Sequence, residues 1–385
     1  MKLFFDLLQV ALGKLPALSS IPTEEEWKQL FDLASKQAVI GVCFAGVEAL
    51  PAEQRPPKDI LLQWYFQVQR IEKSNTILNE MSVKTCRFFE KNGFRACVLK
   101  GQGNARMYPW PLRRQSGDID VWVVPKEDVD SGQLTIKKSR GQVLRWARKR
   151  FPQEKFDWKH IVFPIRPEAE MELHFVPTMM RSPWKNRILE RFCEREAKRQ
   201  MENHLPLTGV DEKYGELVCP THTFNLVFQL THVFWHFVSE GVGMRQILDY
   251  YFLLQEEEDS SADNSAEHSD KQEVVSIVRQ LGLADFAEGL MWVLHEVLGL
   301  EPEKMPFGMN EARGRELLAE IMEGGNFGHY ESRYWQGKKD MYHLSFYVGR
   351  TLRLLSILRH YPSEILWDIP FRFCQRVWRW INRKP

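Results

Sequence analysis

No two cysteines of this chain are spaced C-x-x-C. The six present, at positions 43, 86, 97, 193, 219 and 374, share no short framework spacing. They give no zinc-site signal and suggest reduced thiols in a cytoplasmic protein. Charge of one sign is lacking as well. Lys plus Arg number 52 against 51 Asp plus Glu, so no global field draws nucleic acid as the main partner. Long apolar runs are also missing. The most apolar stretch, residues 224–238, contains Asn225, Gln229, His232 and His236, too many polar groups for a membrane span. The opening MKLFFDLLQVALGK is interrupted by Asp6 and Gln9 and is followed by no small-residue cleavage site. It reads as a short amphipathic helix rather than a signal peptide. No internal repeat is visible.

What is present implies a multi-part protein. A chain of 385 residues exceeds one ordinary core, so two or three domains sharing interfaces are expected. Up to about Asn92 the pattern is helical. Residues 24–36 and 60–91 carry apolar side chains at helical spacing, with Pro51, Pro56 and Pro57 between them. In the second of these, Leu61, Tyr65, Val68, Ile71, Ile77, Met81 and Phe88 define one broad face. The pattern then shifts to strand-length runs at 95–99, 119–124, 159–165 and 169–176. A turn and helix from Gly101 to Met107 and a basic helix over about 141–150 separate them. After Pro183 helices return to the end. They are interrupted by the acidic, Ser-rich segment 256–273, which has no large apolar residue and is expected to be a disordered loop. The division predicted is 1–94 helical, 95–200 mixed strand and helix, and 201–385 helical.

The chemistry concentrates in GDIDVWVV, residues 117–124. Strand side chains alternate, so Asp118 and Asp120 project from one face while Ile119 and Val121 enter the core. Two such carboxylates can share divalent cations, and a hard cation such as Mg²⁺ takes oxygen ligands and arrives with substrate phosphates. D-x-D alone equally describes a strand end with two solvated aspartates. Three neighbours favour the metal. In 169–176 Glu170, Glu172 and His174 share a face, which can deliver a third carboxylate. LKGQG, residues 99–103, ends a strand and opens a helix, so Gly101 and its free N–H groups offer a phosphate turn with Lys100 beside it. Arg113 and Arg114 lie just before the aspartates, within reach of a triphosphate. Together they describe a metal-dependent phosphoryl or nucleotidyl transfer site.

In order, LKG, YPWP at 108–111, RQSGDIDVWV, KHIVF and MELHF resemble the uncharacterised nucleotidyltransferase family of the DNA polymerase beta-like superfamily. The segment THVFWHFVSEGVGMRQILDYYFLL, residues 231–254, is similar to that family's helical segment, so the resemblance spans about 95–255. It implies an α+β fold: a polymerase-beta-like nucleotidyltransferase core with a small mixed sheet over 95–200, flanked by N-terminal and C-terminal helical regions. It implies Asp118, Asp120 and Glu172 as ligands of two Mg²⁺ ions, for which Mn²⁺ could stand in, and as the catalytic carboxylates. Lys100, Gly101, Gln102, Arg114 and Gly117 would bind the nucleotide. Gln102 departs from relatives that carry Ser there, so a hydroxyl contact is missing. The implied reaction transfers an NMP from an NTP, such as ATP, to a hydroxyl of an unidentified acceptor and releases pyrophosphate. A catalytically silent nucleotide binder and a toxin- or antitoxin-like modifier of a partner protein are the alternatives.

Several side chains keep two readings. His174 and His160 would contact phosphate or acceptor, or else bond to neighbouring strand groups. His232 and His236, at i and i+4, suit a metal by spacing but lack a third ligand in the segment and are read as interface histidines. Arg245 and Asp249, also i and i+4, would pair with each other, or Arg245 would face a cleft holding base or phosphate. The C-terminal FRFCQRVWRWINRK places Phe371, Cys374, Trp378 and Ile381 on one helical face. It would bind a membrane surface or nucleic acid, or pack on its own protein, and the latter is favoured. The basic run 137–150 would be an acceptor surface or a solvated helix.

Overall fold

The computed structural model describes residues 1–382 except 153, 155, 163–169, 208–214, 240, 257–263 and 326–350. Helix α1 (Lys2–Ala11) is amphipathic as expected, with Phe4, Leu7 and Leu8 buried. Helix α2 (Glu24–Lys36) starts at Thr23, whose hydroxyl accepts from Glu26 N–H while the Glu26 carboxylate accepts from Thr23 N–H. That reciprocal pair satisfies two donors the first turn would otherwise leave bare. Helix α3 (Ile40–Ala49) is buried along almost its whole length. A Cβ at Gly41 would collide with the Arg113 carbonyl oxygen, so glycine there lets α3 approach the loop that precedes the aspartates.

Helix α4 (Lys58–Lys91) buries Ile60, Trp64, Val68, Asn75, Leu78, Asn79, Met81 and Ser82, a line that shares Val68 and Met81 with the expected apolar face but is otherwise turned from it. Tyr65 and Ile77 are exposed. The reason is polar. Asn75 donates to the carbonyls of Leu112 and Arg114 at 2.6 and 2.7 Å, and the Asn79 carboxamide accepts from Gln102, so the helix turns its amides towards the turn and loop it supports.

The sheet runs β1 (Phe94–Val98), β2 (Ile119–Pro125), β4 (Met171–His174), β3 (His160–Val162) in spatial order. The β1/β2 and β3/β4 pairs are antiparallel and β2/β4 is parallel. The expected strands at 159–165 and 169–176 are thus shorter, and residues 163–169 lie outside the described set. The central strand β2 is buried throughout because both faces are covered. Ile119, Val121 and Val123 join a core with Val143 and Ala147 of α7 (Ile136–Arg150). Trp122 and Val124 join the larger core on the other face, where Trp122 stacks on Phe224 of α9 (His222–Ser239) at 6.0 Å. Asp118 and Asp120 lie on that second face, just beyond the part α9 covers.

The remaining helices include α6 (Lys126–Asp130), α8 (Pro183–Glu202), α10 (Met244–Gln255), α11 (Asn264–Gln280), α12 (Ala284–Leu298), α13 (Glu311–Gly324) and a C-terminal helix, Pro362–Asn382. Helix α1 packs against α12, so the first and last parts of the chain share one core. The loop expected over 256–273 is helical from Asn264 onwards. Val274, Ile277, Val278 and Leu281 are buried in the core and anchor α11, which extends N-terminally from them. Residues 257–263 are outside the described set. The C-terminal helix packs Phe371 on Trp235 and Trp378 on Trp158. Cys374 and Ile381 of that same expected face are exposed, so it is only half used, and Leu366, Ile369, Phe373 and Trp380 are exposed as well. Among the described residues no helix is long and apolar enough to cross a membrane.

Candidate active site

Parallel pairing of β2 with β4 sets Asp120 opposite Glu172 and Trp122 opposite His174. Register partners project from the same face about 5 Å apart, so the third carboxylate arrives beside the first two. His174 is 1% exposed, and its Nε2 lies 2.7 Å from Asp120 Oδ1 and 3.2 Å from Glu172 Oε2. It bridges the two carboxylates from a buried position. On the next strand, His160 Nε2 sits 3.4 Å from Glu172 Oε1. Lys100 Nζ closes the other side, 2.9 Å from Asp120 Oδ1 and 3.3 Å from His232 Nε2.

Electrostatics divides the trio. Burial alone would push the Asp120 carboxyl up, but Lys100 and His174 outweigh it and hold the group well below the ordinary carboxylate range. Burial likewise acts against Glu172, and His174 outweighs it and lowers that carboxyl. Asp118, exposed at the lip, has no hydrogen bond or ion pair among the described residues. Partial burial and the negative charges of Glu172, Asp120 and Glu170 raise it to about 6. Burial followed by the charge of His174 lowers His160 to about 4, so it is neutral near pH 7. An unpartnered carboxylate with a raised value beside two ionised ones lacks positive charge, which a divalent cation on Asp118, Asp120 and Glu172 would supply. His160, Glu172 and His174 also bring ligand atoms within 4.8 Å of one another, a second cation-sized set that shares Glu172. Oxygen-only ligands suit Mg²⁺, whereas imidazoles suit softer ions.

The turn after β1 is tight. Gly101 has φ 58° and ψ −109°, a backbone region reserved for glycine. The helix that follows, α5 (Gln102–Ala105), is a single turn, and its Gly103 N–H is taken by the Lys100 carbonyl at 3.0 Å. Gln102 is 2% exposed and turns towards α4, away from the aspartates, contrary to its expected place at the phosphates.

Both expected arginines are committed elsewhere. Arg113 pairs with Glu48 and Glu72. Arg114 is 4% exposed and forms a bidentate pair with Asp249, Nε to Oδ1 at 2.7 Å and Nη2 to Oδ2 at 2.6 Å, while Nη1 reaches Ser116 at 3.0 Å. Tyr108 donates to the same Asp249 at 2.7 Å. Asp249 is therefore the anchor of the 108–116 loop and not simply a helix partner of Arg245. Arg245 donates to the Gln115 carbonyl at 3.0 Å, and burial, then the charge of Arg114, lowers it to about 10.

Two cavities meet here. One, of about 400 Å³, is lined by Lys100, Gly101, Ser116, Gly117, Arg245 and Asp249. The other, of about 600 Å³, is lined by His160, Glu172, Arg181, Trp235, Arg372 and Arg379. Lys100, Asp118, Asp120 and His232 line both. Sequence reasoning missed Asn75, Asn79 and the bond of Tyr108 to Asp249, which depend on long-range pairing, and assigned His232 to an interface, whereas its Nε2 lies 3.3 Å from Lys100 Nζ at the wall of both cavities. The chain belongs to the uncharacterised nucleotidyltransferase family, whose model matches residues 23–299, a wider span than the motifs alone suggest. Neither a curated protein nor a solved structure matches it.

Proposed function

We propose that this protein is a Mg²⁺-dependent nucleotidyltransferase with a polymerase-beta-like core, centred on residues 95–200 and acting in the cytoplasm. It moves an NMP from an NTP, with ATP the expected donor, to a hydroxyl of an acceptor. The observation that carries this reading is the register of β2 and β4, which sets Asp120 beside Glu172 with the unpartnered Asp118 two residues away. Asp118, Asp120 and Glu172 would hold the metal, which supplies charge stabilisation to the phosphates and acidifies an acceptor hydroxyl. The smaller cavity would take the donor, its phosphates towards Gly101, Gly117 and Arg245. Glu172, ionised and held by His174 and His160, orients the attacking hydroxyl and draws off its proton. The new bond joins the acceptor oxygen to the α-phosphorus, and the bond that breaks releases pyrophosphate. No side chain need carry the nucleotidyl group.

Asp118→Asn and Glu172→Gln should each abolish Mg²⁺-dependent pyrophosphate release while circular dichroism stays native. Retained turnover in either variant would sink the mechanism. One observation favours a second reading, a nucleotide binder without turnover: Lys100 Nζ already places a cation on Asp120. Calorimetry showing NTP affinity with no pyrophosphate formed against any acceptor pool would establish that reading instead.

A further inference from the structure

We propose that the 600 Å³ cavity is the acceptor site, that the C-terminal helix is its outer wall, and that it takes a small hydroxyl compound bearing an oxyanion. The hydroxyl would point to the carboxylates and the oxyanion to Arg372. The inference rests on the nucleotidyl-transfer reading for the word acceptor; the anion site itself stands on geometry.

Position comes first. The cavity shares Asp118 and Asp120 with the donor cavity and adds Glu172, so a molecule in it presents atoms to the carboxylates from the acceptor direction. Its volume lies in the range that encloses small ligands, which argues against a protein surface or a nucleic-acid strand as occupant.

The unused donors of Arg372 decide the class of ligand. Asp368, 2% exposed, is the one carboxylate between two guanidiniums: Arg181 Nε lies 2.9 Å from its Oδ1, and Arg372 Nε lies 3.0 and 2.9 Å from its two oxygens. Glu364, also buried, accepts from the Arg181 backbone N–H at 2.8 Å, so Arg181 is balanced by carboxylates and Arg372 is the guanidinium with donors to spare. Arg372 reaches Asp368 through Nε, and its terminal amino groups have no partner among the described residues. A planar fork with free donors at the wall of a cavity matches a carboxylate or phosphate. Arg379, by contrast, forms a one-to-one bidentate pair with Asp157 at 3.0 and 2.7 Å, which fastens the helix to the strand region. Trp235 supplies an apolar wall, with Arg181 4.8 Å over its ring and Phe371 edge-on at 5.6 Å.

Chain position agrees. The donor-side residues Lys100 to Asp249 fall within the family-matched span, whereas Arg372, Gln375 and Arg379 lie beyond residue 299. Acceptor choice is thus assigned to a part of the chain outside the shared family segment.

The test is calorimetric, on the full-length protein, with glycerol 3-phosphate, glycerate, glycerol and choline as probes. Saturable binding of glycerol 3-phosphate or glycerate, and of neither neutral nor cationic probe, is expected; which of the two binds distinguishes phosphate from carboxylate. Arg372→Gln should weaken that binding at least tenfold and leave NTP affinity unchanged. Arg372→Lys, which keeps the charge but loses the planar fork, should weaken binding less than Gln yet measurably, so a misfolded Gln variant would not end the test. Absence of saturable anion binding, equal binding of glycerol or choline, or indifference to both Arg372 variants overturns the proposal. Anion binding with no pyrophosphate release under any condition would remove the transfer reading while leaving the anion site in place.

Discussion

Lys100 Nζ lies 2.9 Å from Asp120 Oδ1, the same oxygen that His174 Nε2 approaches to 2.7 Å. One buried oxygen therefore faces both the ammonium and the imidazole. Removing the lysine leaves Asp120 buried with a single partner. Lys100→Met should cost about 2 kcal/mol in urea unfolding with chelator present, the scale of a lost charged hydrogen bond. Added Mg²⁺ should recover much of that loss by replacing the missing positive charge. An equal deficit with and without Mg²⁺ would show that the ammonium and the metal do not serve the same carboxylate.

Asp118 carries a pH prediction. Its carboxyl sits at about 6 in the fold against 3.8 in the unfolded chain, because of partial burial and three negative neighbours. A folded value above the unfolded one means that ionisation opposes folding. Below about pH 4 the group is protonated in both states and costs nothing; the penalty grows as pH rises and is complete above about 6. Asp118→Asn should thus stabilise the metal-free protein at pH 8 by about 1 kcal/mol, a figure discounted for solvent screening. At pH 3.5 the gain should vanish. A gain independent of pH would contradict the assigned cause.

Arg114 and Arg245 should behave differently. Arg114→Met strands Asp249 in the core with Tyr108 alone, and breaking a buried pair costs roughly 3–5 kcal/mol. The variant should fail in denaturant before any kinetic effect is read. Arg245→Ala, at the wall of the donor cavity, should raise the KM for NTP about tenfold, corresponding to about 1.4 kcal/mol of binding. A stability loss in Arg245→Ala as large as that in Arg114→Met would reverse these roles.

Asn75 links α4 to the loop before β2 by holding the Leu112 and Arg114 carbonyls. Asn75→Leu should cost about 2–3 kcal/mol, since one buried and one part-buried carbonyl lose their donor. Gly101→Ala should cost about 1–3 kcal/mol through backbone strain at a positive φ, and should lower turnover by shifting Lys100. Thermal melts and steady-state rates check both; a neutral Gly101→Ala would mean that the turn relaxes freely.

What the sequence disclosed and what it hid differ by the reach of the interactions. Asp118 and Asp120 were legible because charge inside an apolar strand is rare, and Glu172 because strand alternation places it on a face. Helix α2 was legible from the helical period of its apolar residues. Helix α3 was not, since a segment apolar on all sides has no period to detect. The Arg114–Asp249 pair spans 135 residues and cannot be inferred from spacing, whereas Arg245 and Asp249 four apart suggest a pairing that overlooks the tertiary partner. Helix α4 misled because its buried line contains amides, and apolar counting ignores them.

The meeting of two cavities at Asp118 and Asp120 has a kinetic consequence. If donor and acceptor occupy separate chambers, neither must leave before the other enters, and both must be present for bond making. Initial rates measured against each substrate at several fixed levels of the other should give intersecting double-reciprocal lines, the mark of a ternary complex. Parallel lines would require a nucleotidyl group parked on the protein, for which the trio of carboxylates offers no separate resting place.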